Sequence, residues 1–116
     1  MRLKHFTVAF GQQLFKSLGD ERRVRILHLL RRNRELVVAD LEQVLDFTQT
    51  KTSRQLSYLK NAGLVNVRRL DNWMYYSLKE ETAELLHQLH CLFFQEIIHP
   101  VVEPAHVHQP RILQVR

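Results

Sequence analysis

The chain has 116 residues, a formal net charge of +5 and a single cysteine. This length suits one domain with its own core. Hydrophobic residues make up 45% and charged residues 25% of the chain, which is typical of a globular protein rather than a disordered one. One cysteine excludes an internal disulfide and a four-thiolate zinc site. With 3 glycines and no Gly-rich phosphate motif, the sequence also excludes a phosphate-binding loop.

No apolar run approaches the roughly 18 residues that a membrane span needs. The first ten residues lack the apolar stretch and the small-residue cleavage site of a signal peptide. The sequence therefore predicts a cytoplasmic protein without a membrane partner. The basic surplus predicts an anionic partner but does not say which.

The first half of the chain has apolar residues at helical spacing. This pattern predicts a helix over residues 3–18, which Gly19 ends, and a second helix that Asp20 caps. The arginines of the second helix are expected to form mainly a solvated face. A brief third helix is predicted over residues 40–45.

Thr48 is a good N-cap for a fourth helix, in which Leu56 and Leu59 face inward. Gly63 follows where a left-handed residue is expected to end that helix. The apolar period then changes from helix to strand, and two strands joined through residues 71–73 form a β-hairpin.

A long last helix is predicted over residues 80–98, before Pro100. Its apolar side chains cover more than one face, and burial against a second copy of the chain is the simple explanation. The residues after Pro100 are interpreted as an extended tail.

Charge is distributed unevenly along the chain. Residues 48–70 contain five bases and no acid, whereas residues 79–103 contain one base and five acids. The middle of the chain therefore carries the signal for an anionic partner.

The order helix, helix, short helix, helix, hairpin, helix predicts a mainly α fold with a small β-hairpin, namely a winged helix-turn-helix. This domain is expected to span residues 1–99, with a tail over residues 100–116. A recognition helix needs polar and basic residues towards the major groove, and a wing needs bases near phosphate. The candidate DNA-binding residues are Gln49, Thr50, Lys51, Ser53, Arg54, Ser57, Lys60, Arg68, Arg69 and Asn72.

Three segments in register resemble ArsR/SmtB-type bacterial repressors over about residues 10–98. These segments are Leu18-Gly19-Asp20-Glu21-Arg22-Arg23-Val24-Arg25-Ile26-Leu27, then Thr48-Gln49-Thr50-Lys51-Thr52-Ser53-Arg54-Gln55-Leu56 with Leu59-Lys60-Asn61-Ala62-Gly63-Leu64-Val65, and Trp73-Met74-Tyr75-Tyr76-Ser77-Leu78. The resemblance implies a homodimer joined through its first and last helices, which binds an inverted repeat in double-stranded DNA and represses until a ligand releases it. It also implies that Gln49 and Ser53 lie on the DNA-reading helix.

The sequence departs from this family at its metal sites. Members that sense arsenite carry a Cys-Val-Cys run in the third helix, whereas the matching stretch here, Glu35-Leu36-Val37-Val38-Ala39-Asp40-Leu41, has no thiol, so the thiolate ligands of that site are missing. Members that sense zinc carry four ligands whose places here are taken by Glu80, Thr82, Phe93 and Glu96, two of which cannot bind zinc.

The last third is nevertheless rich in histidine, and imidazole with carboxylate suits Zn, Ni or Co. The candidate ligands are His87, Cys91, His99, Glu103, His106 and His108. The alternative is that these are surface and interface residues of a metal-free dimer.

The leading hypothesis is a dimeric DNA-binding repressor of the ArsR type whose effector the sequence does not identify. The alternatives are a divalent-metal sensor that uses the histidines of the last helix and tail, and a winged-helix module for protein contacts without DNA recognition. An enzyme is not predicted, because no nucleophile–base pair, paired carboxylates or cofactor motif stands out.

Overall fold

The computed structural model describes residues 7–89. The described part has five helices and one two-stranded antiparallel hairpin, in the predicted order. These elements are α1 (Val8–Ser17), α2 (Glu21–Arg32), α3 (Val38–Leu45), α4 (Gln49–Asn61), β1 (Val65–Leu70), β2 (Trp73–Leu78) and α5 (Glu80–Leu89). The winged helix-turn-helix is confirmed, with α3 and α4 as the helix-turn-helix and the hairpin as the wing.

Side-chain caps set where three helices begin. The Asp20 carboxylate accepts from the Arg22 N–H at 2.8 Å, and the Thr48 hydroxyl accepts from the Lys51 N–H at 3.1 Å, as expected. The Thr7 hydroxyl accepts from the Phe10 N–H at 3.0 Å. Because Thr7 is an extended cap, the prediction of a helix that runs through this residue is wrong, and α1 begins at Val8.

The short helix α3 begins two residues earlier than predicted. The Asp40 carboxylate accepts from the backbone N–H of Val37 at 3.1 Å, so it satisfies the start of a helix in which it is already the third residue. Asp46 ends the helix in the left-handed conformation, with a φ of 58°. Gly63, with a φ of 81°, does the same after α4 and turns the chain into the wing.

The wing pairs Val65 with Leu78 at its base and Leu70 with Trp73 at its tip. The turn is therefore only Asp71-Asn72, and Trp73 is the first residue of β2 rather than part of the connection. The segment between α2 and α3 also joins the wing, because Leu36 and Tyr76 exchange backbone hydrogen bonds of 3.0 and 2.8 Å.

The core draws on every described helix and on the start of the wing. Its fully buried members include Leu14, Ile26, Leu27, Leu41, Leu56, Leu59, Leu64 and Leu86. Leu56 and Leu59 pack the inner side of α4 into this core, so the outer side of α4 has a fixed orientation.

Two large apolar side chains of α1 are left uncovered. Val8 is 87% exposed and Phe15 is 59% exposed.

The first part of the predicted last helix is confirmed as α5, whereas its continuation to residue 98 and the domain boundary at residue 99 lie outside the described residues. Within residues 7–89, no helix is long and apolar enough to cross a membrane.

Candidate nucleic-acid interface

The outward side of α4 carries the predicted recognition residues. Thr50, Ser53, Arg54 and Ser57 are spaced at i, i+3, i+4 and i+7, which aligns them along one stripe of the helix. Gln49, Lys51 and Lys60 flank this stripe, and all seven side chains are exposed except Ser53, which is half-buried.

The opposite side of α4 is buried. Its members are Thr52, Gln55, Leu56 and Leu59. The Thr52 hydroxyl donates to the Thr48 carbonyl at 2.8 Å, so this polar residue is satisfied inside the helix. The helix is therefore divided into a buried half that anchors it and an exposed, polar and basic half that is accessible to a ligand.

The polar half has the chemistry that reads a DNA groove. A guanidinium and an amide make bidentate contacts with base edges, hydroxyl groups donate and accept, and ammonium groups pair with phosphates. Arg54 and Gln49 supply the first kind of group, and Lys51 supplies the last. No carboxylate lies on α4.

The two arginines of the wing have different surroundings. Arg69 is exposed, and its guanidinium lies 4.0 Å from the Met74 sulfur. Arg68 donates two hydrogen bonds to the Glu35 carboxylate at 2.9 and 2.8 Å, and its guanidinium carbon lies 4.7 Å from the centre of the Tyr75 ring. The hydrogen bonds to Glu35 raise the pKa of Arg68.

The structure therefore exposes eight of the ten predicted DNA-binding residues without an ion pair among residues 7–89. Ser53 is half-buried, and Arg68 is exposed but engaged in an ion pair with Glu35. Sequence reasoning missed Glu35, because this acid lies 33 residues before its partner in the chain. A charge count over residues 48–70 alone does not contain it.

The structure also corrects the expectation that Arg23 lies on a solvated face of α2. Its side chain is only 15% exposed, so it does not belong to a solvated face. It donates to the Ser17 carbonyl at 2.9 Å and to Gln55 Oε1 at 3.2 Å, and it lies 3.9 Å above the centre of the Tyr58 ring. Arg23 thus connects the end of α1 to the buried side of α4. By contrast, Arg22 and Arg25 lie on the solvated surface as expected, where they make ion pairs with Asp20 and Glu21.

A concave surface joins the recognition helix to the wing. It encloses about 270 Å³ between the start of α3, Gln49 at the start of α4, and Asn72, Trp73 and Met74 at the wing tip. Gln49 and Asn72 come from distant parts of the sequence but line the same hollow. A single extended ligand can therefore contact the recognition helix and the wing together.

Most of the predicted metal ligands lie outside the described residues 7–89. These ligands are Cys91, His99, Glu103, His106 and His108. His87 is exposed on α5, and its Nδ1 lies 3.4 Å from a guanidinium nitrogen of Arg31. Among residues 7–89, no group of three or more His, Cys, Asp or Glu residues is arranged to hold a metal ion.

Comparison of the sequence with known proteins matches it to one family of bacterial transcriptional regulators. Residues 20–67 match the model of the family described as bacterial regulatory protein, arsR family. The chain is 39% identical over 71 residues to the arsenic resistance transcriptional regulator ArsR1 of Pseudomonas putida, which covers 61% of this chain and 56% of that protein. It is 33% identical over 84 residues to the arsenical resistance operon repressor of Bacillus subtilis, which covers 71% of this chain and 80% of the repressor.

Solved structures share the architecture. HlyU from Vibrio cholerae superposes with a TM-score of 0.68 at 34% identity, over 75% of this chain and 95% of HlyU. A Mycobacterium bovis fragment described as a homodimeric winged helix-turn-helix DNA-binding domain superposes with a TM-score of 0.64 at 31% identity, over 78% of this chain and 86% of the fragment. These relatives are regulators of transcription rather than enzymes. The chain therefore belongs to the arsR family of bacterial regulatory proteins and is a DNA-binding transcriptional regulator with a winged-helix fold.

Proposed function

We propose that this protein is a homodimeric repressor that binds an inverted-repeat operator through the outward side of α4 and the tip of the wing. The observation that carries the proposal is the division of α4 into a buried half and an exposed half with three bases and no acid. The proposed contacts are Gln49, Thr50, Lys51, Ser53, Arg54, Ser57, Lys60, Arg69 and Asn72. Repression is supported by the name of the Bacillus subtilis relative, whereas HlyU of Vibrio cholerae is named a transcriptional activator.

The dimer is supported by the surface of α1. Val8 and Phe15 leave apolar area in water that a second copy would cover. The related Mycobacterium bovis domain is described as homodimeric. In a two-fold dimer, the two copies of α4 would enter successive major grooves about 34 Å apart.

The test is a fluorescence anisotropy titration with a DNA duplex that the purified wild-type protein selects from a random pool. We expect Arg54→Ala to cost about 1–3 kcal/mol of binding free energy, which is the range for a side chain that reads a base. Lys51→Ala should weaken binding and lower the dependence on salt, as loss of a phosphate contact does.

Lys79→Ala is the matched control, because Lys79 lies at the base of the hairpin, where its N–H donates to the Leu64 carbonyl at 3.2 Å, far from the wing tip. Equal affinity of the wild type, Arg54→Ala and Lys51→Ala would refute the placement of the interface. Failure of the wild type to select any duplex would favour the alternative of a protein-contact module.

The proposed effector class is a divalent metal ion, namely Zn, Ni or Co. Relatives named for arsenic resistance and for cadmium resistance support a response to metals or metalloids, and cadmium forms a divalent ion. His87 is exposed, so its imidazole is accessible to an ion. Titration calorimetry of the full chain with each ion, beside His87→Ala and a variant that lacks residues 100–116, tests the class. Unchanged metal affinity in both variants would remove these residues from the proposal.

A further inference from the structure

Two consecutive residues between α2 and α3 hold the wing against the body of the protein. Leu36 is bound to β2 through its backbone hydrogen bonds with Tyr76. Glu35 is bound to β1 through its two hydrogen bonds with Arg68. Since an isolated two-stranded hairpin is marginally stable in water, these attachments are expected to set the orientation of the wing.

The geometry around Arg68 is that of a fixed side chain. Its guanidinium forms a bidentate pair with Glu35, and it is stacked over Tyr75, its direct partner across the strands. Tyr75 is itself only 3% exposed. The guanidinium thus contacts the body of the protein through Glu35 and the hairpin through Tyr75.

The same pair decides which arginine offers its charge to DNA. Successive residues of a strand point to opposite faces, so Arg68 and Arg69 cannot present their side chains to the same surface. Glu35 neutralises Arg68 and uses two of its donors, whereas no ion pair of Arg69 occurs among residues 7–89. A bidentate carboxylate competes directly with a phosphate for the same guanidinium edge.

We propose that Glu35 and Arg68 form a latch that positions the wing for DNA binding, and that Arg69 rather than Arg68 pairs with phosphate. This inference rests on the proposed function and assigns a positioning role to two residues that do not touch the ligand. It replaces the expectation, drawn from charge alone, that both wing arginines bind phosphate.

The two roles of Arg68 predict opposite effects of Glu35→Gln on affinity for the selected duplex. If Arg68 bound phosphate, removal of the carboxylate would release its guanidinium and remove a repelling charge, so affinity would rise. If the pair is a latch, its loss loosens the wing and affinity falls. We expect a fall of about two- to fivefold, the range that one solvent-exposed ion pair supports.

Salt dependence and a charge exchange separate the roles further. We expect Arg69→Gln to lower the slope of log affinity against log salt by about 0.9, as the loss of one phosphate contact does. We expect Arg68→Gln to leave that slope unchanged while affinity falls. The exchange Glu35→Arg with Arg68→Glu keeps the net charge and rebuilds the pair, so it should bind more tightly than Arg68→Glu alone.

Thermal denaturation of each variant shows whether the fold is retained, and the comparison is made between variants that melt like the wild type. Tighter binding by Glu35→Gln, or a slope lowered by about 0.9 in Arg68→Gln, would overturn the latch while leaving the proposed function intact. Absence of DNA binding by the wild type would overturn the proposed function and the latch together.

Discussion

Arg23 of α2, whose side chain is 15% exposed, gives the sharpest test of how the recognition helix is held. Replacement of Arg23 by alanine removes its hydrogen bonds to the Ser17 carbonyl and to Gln55 Oε1, and its stacking on Tyr58. Both acceptors belong to buried residues, so water replaces the lost donor poorly.

The magnitude follows from these contacts. A hydrogen bond from a charged donor contributes about 1.5–3 kcal/mol, and a partly desolvated cation–π contact contributes about 1 kcal/mol. Because water and the remaining side chains recover part of this, we expect Arg23→Ala to lower the free energy of unfolding by about 2–4 kcal/mol. Arg23→Lys should recover only part of the loss, since an ammonium lacks the planar fork and stacks less well.

Arg25→Ala is the matched control on the same helix. Arg25 is 41% exposed and pairs with Glu21 at 2.7 Å, so its loss should cost about 0.3–0.5 kcal/mol. Urea unfolding followed by circular dichroism, at one protein concentration for all variants, measures both values. A cost for Arg23→Ala within about 0.5 kcal/mol of that for Arg25→Ala would refute the reasoning.

Three further predictions concern local structure. Thr48→Ala removes the cap of α4 and should lower the free energy of unfolding, measured by thermal denaturation, by about 1 kcal/mol. Replacement of the exposed Thr50 by alanine is the control and should be nearly neutral. Equal costs for the two variants would contradict the cap. Gly63→Ala should cost about 1–2 kcal/mol in urea unfolding although nothing lies within 4 Å of the added methyl, because φ is +81°; a more stable variant would contradict this. The hydrogen bond from Arg22 lowers the pKa of Asp20, so the stabilisation it gives is complete above the ordinary value near pH 4 and is lost as pH falls through the lower folded-state value. Asp20→Asn should therefore lose less stability than the wild type in acid unfolding, and identical profiles would count against the linkage.

Much of the fold was readable from the sequence because its signals are local. Asp20 and Thr48 cap helices through backbone groups two or three residues away, and Gly63 supplies a conformation that other residues adopt at a cost. The recognition residues of α4 were readable for the same reason, since helical spacing alone separates Arg54 and Ser57 from the buried residues.

The errors at the element ends also have local causes that composition does not reveal. The Thr7 hydroxyl caps the first turn of α1, so the helix begins at Val8, and the Asp40 carboxylate caps α3 from the third position of that helix rather than the first. The backbone N–H that each side chain reaches sets the boundary, and the residue type alone does not specify it.

The order of the elements, the outward side of α4 and the surplus of +5 that points to an anionic partner all follow from the amino-acid sequence. How individual arginines use their charge depends on contacts that form only in the folded chain. Arg23 connects α1 to α4 and Arg68 is paired with Glu35, whereas Arg69 and Arg54 are exposed without an ion pair among residues 7–89. Charges at the protein surface are screened beyond about 8–10 Å at physiological salt, and two residues that lie 33 apart in the chain come within that range only because the chain folds.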